Sequence, residues 1–129
     1  MKYYIAKKLT TDFETAVSKT TEALKEEGFG VLSQIDIHEK LKQKLDIDFR
    51  KYKILGACNP SLAHQALQKE DKIGTMLPCN VIIQQLNENE IEIAAVDPIA
   101  SMQAIENDEF HKVAKIVKGK LERVISNID

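Results

Sequence analysis

Apolar residues spaced by two, together with short apolar runs, occur in five segments of the chain and predict five β-strands. Asparagines and a glutamate at positions 87–89 separate the last two segments, as expected of a hairpin turn. Asp97-Pro98 ends the fifth. The predicted strands lie within residues 2–9, 31–37, 52–58, 81–86 and 91–96.

Helical spacing of apolar residues occurs between these segments. Thr11 and Glu14 have the spacing of a capping box, which predicts a helix that begins there and ends at Gly28. A short amphipathic helix is predicted for residues 38–45. Asn59 followed by Pro60 is typical of the start of a third helix, because proline needs no amide partner in the first turn.

The last helix is predicted to begin near Asn107 or Asp108, with its acidic residues early and its basic residues late, as the helix dipole favours. The elements follow in the order β-α-β-β-α-β-β-α, with the short amphipathic helix as an addition. Mixed hairpins and helices favour an α+β fold, a two-layer sandwich with helices on one face of a largely antiparallel five-stranded sheet. Residues 1–129 are predicted to form a single domain.

The other face of that sheet has no predicted cover. Ile82 alternates with Val81 and Ile83, so both faces of this strand carry apolar side chains. A homodimer that buries the second face is therefore expected. The alternative is a monomer with small apolar side chains exposed.

Composition excludes some classes of partner. Charged residues make up 29% of the chain, but the net charge is only −2 and the signs are mixed, which argues against nucleic-acid binding. No apolar run approaches the roughly 20 residues that span a membrane. Lysines interrupt the N-terminal segment, so we expect a cytoplasmic protein whose two cysteines are not a structural disulfide.

Both cysteines precede an asparagine, at Cys58-Asn59 and Cys79-Asn80, and each pair has a proline beside it. If the strands that carry them are neighbours, one site could combine both turns. Paired thiols can bind a soft metal ion such as zinc, or can form a reversible disulfide. Cys58 directly precedes a predicted helix N-terminus, which stabilises a thiolate. The alternative is that Cys58 and Cys79 pack as small apolar residues, with the asparagines as caps and turn formers.

Asp97, before Pro98 at a strand end, is a further candidate ligand or base, although aspartate before proline is also an ordinary turn signal. The three histidines show no converging pattern and are expected to be solvated. The chain has no phosphate-binding glycine loop, no Ser-His-Asp order and no HExxH motif. The residues alone therefore leave open whether the protein is an enzyme.

A resemblance does emerge from Gly56-Ala57-Cys58-Asn59-Pro60, Leu77-Pro78-Cys79-Asn80-Val81 and Asp97-Pro98. The chain resembles domain-of-unknown-function family 302 over essentially its whole length. The resemblance implies a compact α+β domain akin to the TATA-binding-protein-like fold class, in a family whose members tend to form dimers. It implies no activity, substrate or catalytic residue, and a shared fold does not establish nucleic-acid binding.

Three functional hypotheses remain. The first is a homodimeric module that binds a small-molecule ligand or a soft metal ion near Cys58, Asn59, Cys79, Asn80 and Asp97. The second is a thiol-redox enzyme or sensor, with Cys58 as the attacking thiolate and Cys79 as the resolving thiol. In the third, both cysteine turns are purely structural.

Overall fold

The structure, a computed structural model, describes residues 2–129 and contains one five-stranded sheet with helices packed on one of its faces. The strands are β1 (Tyr4–Thr10), β2 (Gly30–Asp36), β3 (Tyr52–Cys58), β4 (Cys79–Gln85) and β5 (Glu90–Val96). The helices are α1 (Phe13–Glu26), α2 (Ile37–Leu45), α3 (Pro60–Lys69), α4 (Pro98–Ser101) and α5 (Asp108–Asn127), with a 3₁₀ helix at Asp71–Met76.

The strands lie in the order β1-β5-β4-β3-β2, and every neighbouring pair is antiparallel. β4 is therefore the central strand, and β1 and β2 are the two edges. This arrangement confirms the predicted α+β sandwich with an antiparallel sheet. None of the helices within residues 2–129 is both long and apolar enough to cross a membrane.

The main core lies between the sheet and the pair α1 and α5. Leu55, Val81, Ile83 and Ile93 project from the sheet into this layer and are completely buried. Leu121 meets them from α5. A smaller apolar cluster lies beside it, under α3, the 3₁₀ helix and the N-terminal part of α5, and contains Leu62, Ala66, Ile73, Met102, Phe110, Val113 and Ala114.

The predicted capping box at the start of α1 is wrong by one residue. Asp12 is the N-cap, and its carboxylate accepts hydrogen bonds from the backbone N–H of Thr15 (2.8 Å) and from its hydroxyl (2.7 Å). Each carboxylate oxygen accepts one of these two bonds, so a single side chain satisfies both donors of Thr15. At α3 the predicted Asn59 cap and Pro60 start are confirmed.

Two short elements were not predicted. Residues 71–76 form the 3₁₀ helix, and α4 follows Asp97 directly. Both lack the length over which helical spacing can be recognised. Together they bring the chain over the end of the sheet where β3 finishes and β4 begins.

Candidate functional site

The antiparallel pairing of β3 with β4 brings the two cysteine turns to the same end of the sheet. Ala57 of β3 lies opposite Cys79, the first residue of β4. Cys58 is therefore one residue beyond this pair and ends its own strand opposite Gly30. Both thiols are free, with Cys79 buried and Cys58 partly exposed. The sequence hypothesis required neighbouring strands, and the structure has them.

Both cysteines line a cavity that separates the main core from the smaller cluster. Its wall has no exposed polar surface. The sheet end forms one side, and α3 and α5 form the other through Leu62, Ala66, Val113 and Ala114. Its volume is about 40 Å³. One water needs ~10–15 Å³, so the space fits a group of a few heavy atoms and not a nucleotide or a ring cofactor.

Cys79 is a poor thiolate in this position. Burial raises its pKa to about 11, and the nearby Cys58 adds to the rise because a second negative charge would be repelled. At neutral pH the Cys79 side chain is therefore a neutral thiol that packs among apolar groups. In this form the thiol behaves as a small apolar side chain that can contact an apolar molecule.

The two asparagines that follow the cysteines have different surroundings. Asn59 lines the cavity, but its side-chain oxygen accepts from the Leu62 N–H (3.3 Å) and its amide donates to the Glu27 carbonyl (3.4 Å). It thereby joins the start of α3 to the end of α1. Asn80 is exposed on the opposite face of the sheet and does not line the cavity. The structure thus separates Asn80 from the other candidates.

Asp97 lies next to the cavity without lining it, because the following residue, Pro98, forms that part of the wall. Its carboxylate accepts from the backbone N–H groups of Ile99 (2.9 Å) and Ala100 (3.2 Å) and pairs with Lys118 (3.0 Å). Burial opposes ionisation of Asp97, but the Lys118 hydrogen bond and the two amides outweigh it, so the pKa is lowered. Its partners within the chain make Asp97 a cap of α4.

The histidines do not join the cysteines. His64 is exposed on α3, and His38 receives a hydrogen bond from the Tyr52 N–H (3.0 Å) at the far end of the sheet. His111 contacts the Ile105 carbonyl. In the described part of the chain no group of three or more His, Cys, Asp or Glu side chains is placed to hold a metal ion. A zinc site here would have only the two thiols from this chain, whereas structural zinc takes four ligands.

Sequence reasoning did not identify the helical wall of this cavity. Phe110, Val113 and Ala114 have the helical spacing of any core-facing helix, so their pattern does not indicate a cavity. Met102 lies in the connection before that helix, where no periodicity exists to place it. No signal in the sequence distinguishes a residue that fills a core from one that borders a gap in it.

The comparisons with known proteins agree with the fold. The model of the family described as "Domain of unknown function DUF302" matches residues 5–128. The chain belongs to this family. A crystal structure of an uncharacterized conserved DUF302 protein from Bacillus stearothermophilus is similar over 100% of both chains, with 25% sequence identity and a TM-score of 0.92. No curated protein is significantly similar to this DUF302 chain.

Proposed function

We propose that this DUF302 domain binds a small apolar molecule in the cavity beside Cys58 and Cys79. The observation that carries the proposal is a cavity whose wall exposes no polar surface, at the end of the sheet where both cysteines lie. Apolar cavities stay dry and take up apolar guests, and the side-chain polar atoms of Asn59 in this wall are already hydrogen-bonded within the chain. The ligand class is therefore a short hydrocarbon-like group or a compact apolar metabolite.

The position of the cavity supports binding there. It lies at the boundary of two apolar clusters, between α3 and α5, where a modest separation of helices admits a guest without disturbing the main core. Cys58 lies beside the cavity and is partly exposed, so a ligand would enter the cavity from solvent at the end where the cysteines lie. The ligand would contact the neutral Cys79 thiol, whose sulfur is soft and polarizable.

The metal and redox alternatives receive less support from the same geometry. No third His, Cys, Asp or Glu side chain in the described part of the chain is placed to complete a metal site with the two thiols. A redox couple needs Cys79 to react as a thiolate, which burial disfavours because it raises the pKa of this thiol to about 11. We therefore place ligand binding ahead of zinc binding and ahead of a Cys58–Cys79 redox couple.

The test is to extract the purified protein with organic solvent and to identify released molecules by mass spectrometry, with zinc measured in the same preparation. The comparison variant is Ala66→Val, which fills the cavity. Gln65→Val, at an exposed position of α3, is the matched control for the helix propensity of valine. We expect an apolar molecule from the wild type and from Gln65→Val, and none from Ala66→Val.

Equal yields from all three proteins, or none from any, would contradict the proposal. Stoichiometric zinc that disappears in Cys58→Ser would instead assign the turns to a metal site. A Cys58–Cys79 disulfide in protein purified without reductant would favour the redox alternative.

A further inference from the structure

The two edges of the sheet differ in how well each could accept another strand. At β2 the register shifts between Val31 and Ser33, so this edge has a bulge, and Leu32 within it is 69% exposed. A bulge twists an edge strand and spoils it as a template for pairing. At β1 the pairing with β5 is continuous from Tyr4 to Thr10, without a shift. β1 is therefore a regular edge strand of seven residues.

The register of β1 against β5 shows which backbone groups of this edge are unpaired. The Asp97 N–H donates to the Tyr3 carbonyl (2.8 Å), and these two residues continue the β1–β5 register. Hydrogen-bonded and non-hydrogen-bonded pairs alternate along an antiparallel ladder. The N–H and C=O groups of Tyr4, Ala6 and Lys8 therefore point away from β5. Within residues 2–129 these groups have no backbone partner.

A groove runs between this edge and α5. Ile5 lines it from β1 and Ile125 lines it from the helix, and its volume is about 560 Å³. Glu122 and Arg123, which carry opposite charges, also line it, together with Lys7. Side chains alternate between the two faces of a sheet. An extended segment beside β1 would therefore turn every second side chain into this groove.

The edge strand is basic. Residues 2–10 contain Lys2, Lys7 and Lys8 and no acidic residue. Lys8 is exposed on the open face, which is the sheet face without helices, and Glu92 of β5 lies opposite it. Glu92 also accepts a hydrogen bond from Gln84 Nε2 (2.8 Å). Lysines on an edge oppose pairing between two copies of the same strand, because like charges would meet, but they do not oppose an acidic strand.

We propose that β1 binds an extended acidic segment of another protein, which adds to the sheet as a sixth, antiparallel strand. The free backbone groups of Tyr4, Ala6 and Lys8 pair with the segment. Apolar side chains on one face of the segment enter the groove beside Ile5, and acidic side chains on its other face lie beside Lys8. In strand addition of this kind, main-chain hydrogen bonds provide affinity and alternate side chains provide specificity. This site is separate from the cavity beside the cysteines.

The test is an NMR titration of the isotopically labelled protein with a synthetic peptide of about seven residues that alternates valine and glutamate. We expect saturable shifts of the amide signals of Tyr4, Ala6 and Lys8, because these groups acquire partners. A peptide of the same length that alternates valine and lysine should bind at least about tenfold more weakly, since Lys8 repels it. Lys8→Glu should reverse the preference between the two peptides.

Ala6→Pro tests the contribution of the main chain. Proline removes an N–H that points away from β5, which an edge strand tolerates, so the sheet should stay folded while the affinity for the peptide falls by about tenfold or more. Ala6→Val keeps the N–H and is the matched control, with an affinity within about threefold of the wild type. The NMR spectrum of each variant shows whether it is folded.

Modified peptides give a second test with the unaltered protein. In the antiparallel arrangement the glutamate residues share the open face with Ala6 and Lys8, so their N–H groups donate to β1. N-methylation of the glutamates should abolish binding, whereas N-methylation of the valines should leave it intact. Absence of saturable shifts in β1 would overturn the proposal. So would equal binding of the glutamate and lysine peptides, or equal binding of the two N-methylated peptides.

Discussion

The two faces of the sheet use the same residue types differently. On the covered face, neighbouring strands present aliphatic side chains that are fully buried, such as Val81, Ile83 and Ile93. On the open face, Ile82 and Ala94 lie between these positions and are only half-buried. The covered face is completed by helices of the same chain, except for the small gap beside the cysteines. The open face has no cover within the described residues and carries ordered polar groups.

The difference shows that alternation alone does not reveal what a face does. Both faces of β4 are apolar in sequence, yet one forms a core and the other carries the Arg50–Gln84–Glu92 chain. A core face needs filled volume, whereas a face without cover can carry hydrogen-bonded polar side chains. The neighbouring residues Ile82 and Ile83 allow the stability contributions of the two faces to be compared on one strand.

The largest effect is expected from Ile83→Ala. Ile83 is completely buried in the main core, so truncation should lower the free energy of unfolding by about 2–5 kcal/mol. Ile82→Ala, on the same strand, should cost about 1 kcal/mol or less, because Ile82 is only half-buried on the open face. Urea unfolding measures the free energy of unfolding of both variants. Equal costs would show that the open face is as well packed as the core.

The next effect is a loss of stability at alkaline pH. The pKa of Cys79 rises from an ordinary value of 9.0 to about 11 on folding, because burial disfavours the thiolate. Its stabilising contribution is therefore complete below pH 9.0 and is lost as the pH rises toward 11. Two pKa units correspond to about 2.7 kcal/mol at most.

Cys79→Ala is the control for this prediction, because it removes the thiol and leaves the lysines and tyrosines that also titrate in this range. Urea unfolding of both proteins at intervals from pH 8 to 10.5 is the measurement. The stability difference between them should shrink as the pH rises. A constant difference would show that Cys79 is not buried as described.

The smallest effect distinguishes the two asparagines. Asn59→Ala removes the cap of α3 and the hydrogen bond to Glu27, so it should cost about 1 kcal/mol. Asn80→Ala changes an exposed side chain on the open face and should cost less than about 0.5 kcal/mol. Thermal unfolding can distinguish the stability losses of these two variants. An equal loss at Asn80 would indicate a role there that the monomer does not explain.

Much of the fold could be predicted from sequence because period-two alternation and helix caps are local signals. The strands, the Asn59 cap and the five-stranded antiparallel sheet followed from them, and the family resemblance is confirmed. The neighbouring position of Cys58 and Cys79 depended on strand pairing, which sequence allowed but did not require. The start of α1 was predicted one residue too early, and the cap at Asp97 begins a helix too short to show helical spacing.

The candidate site was less predictable because a cavity results from packing between elements distant in sequence. Ala66 and Val113 come from different helices, and neither has a local pattern that marks an unfilled space. The same applies to the open face, where the order of isoleucine and alanine becomes visible only when the registers of five strands are known. Asn80 shows why the sequence was not enough. Like Asn59, it directly follows a cysteine, yet its side chain lies on the opposite face of the sheet from the cavity.

The most direct test of ligand binding in the cavity beside Cys58 and Cys79 is a xenon titration followed by methyl NMR. Xenon enters dry apolar cavities without needing a polar partner. We predict saturable shifts of the Ala66, Met102, Val113 and Ala114 methyl signals in the wild type, much reduced in Ala66→Val, with Ile82 unaffected. Absence of saturable shifts, or equal shifts in the filled variant, would contradict the assignment of this cavity as a binding site.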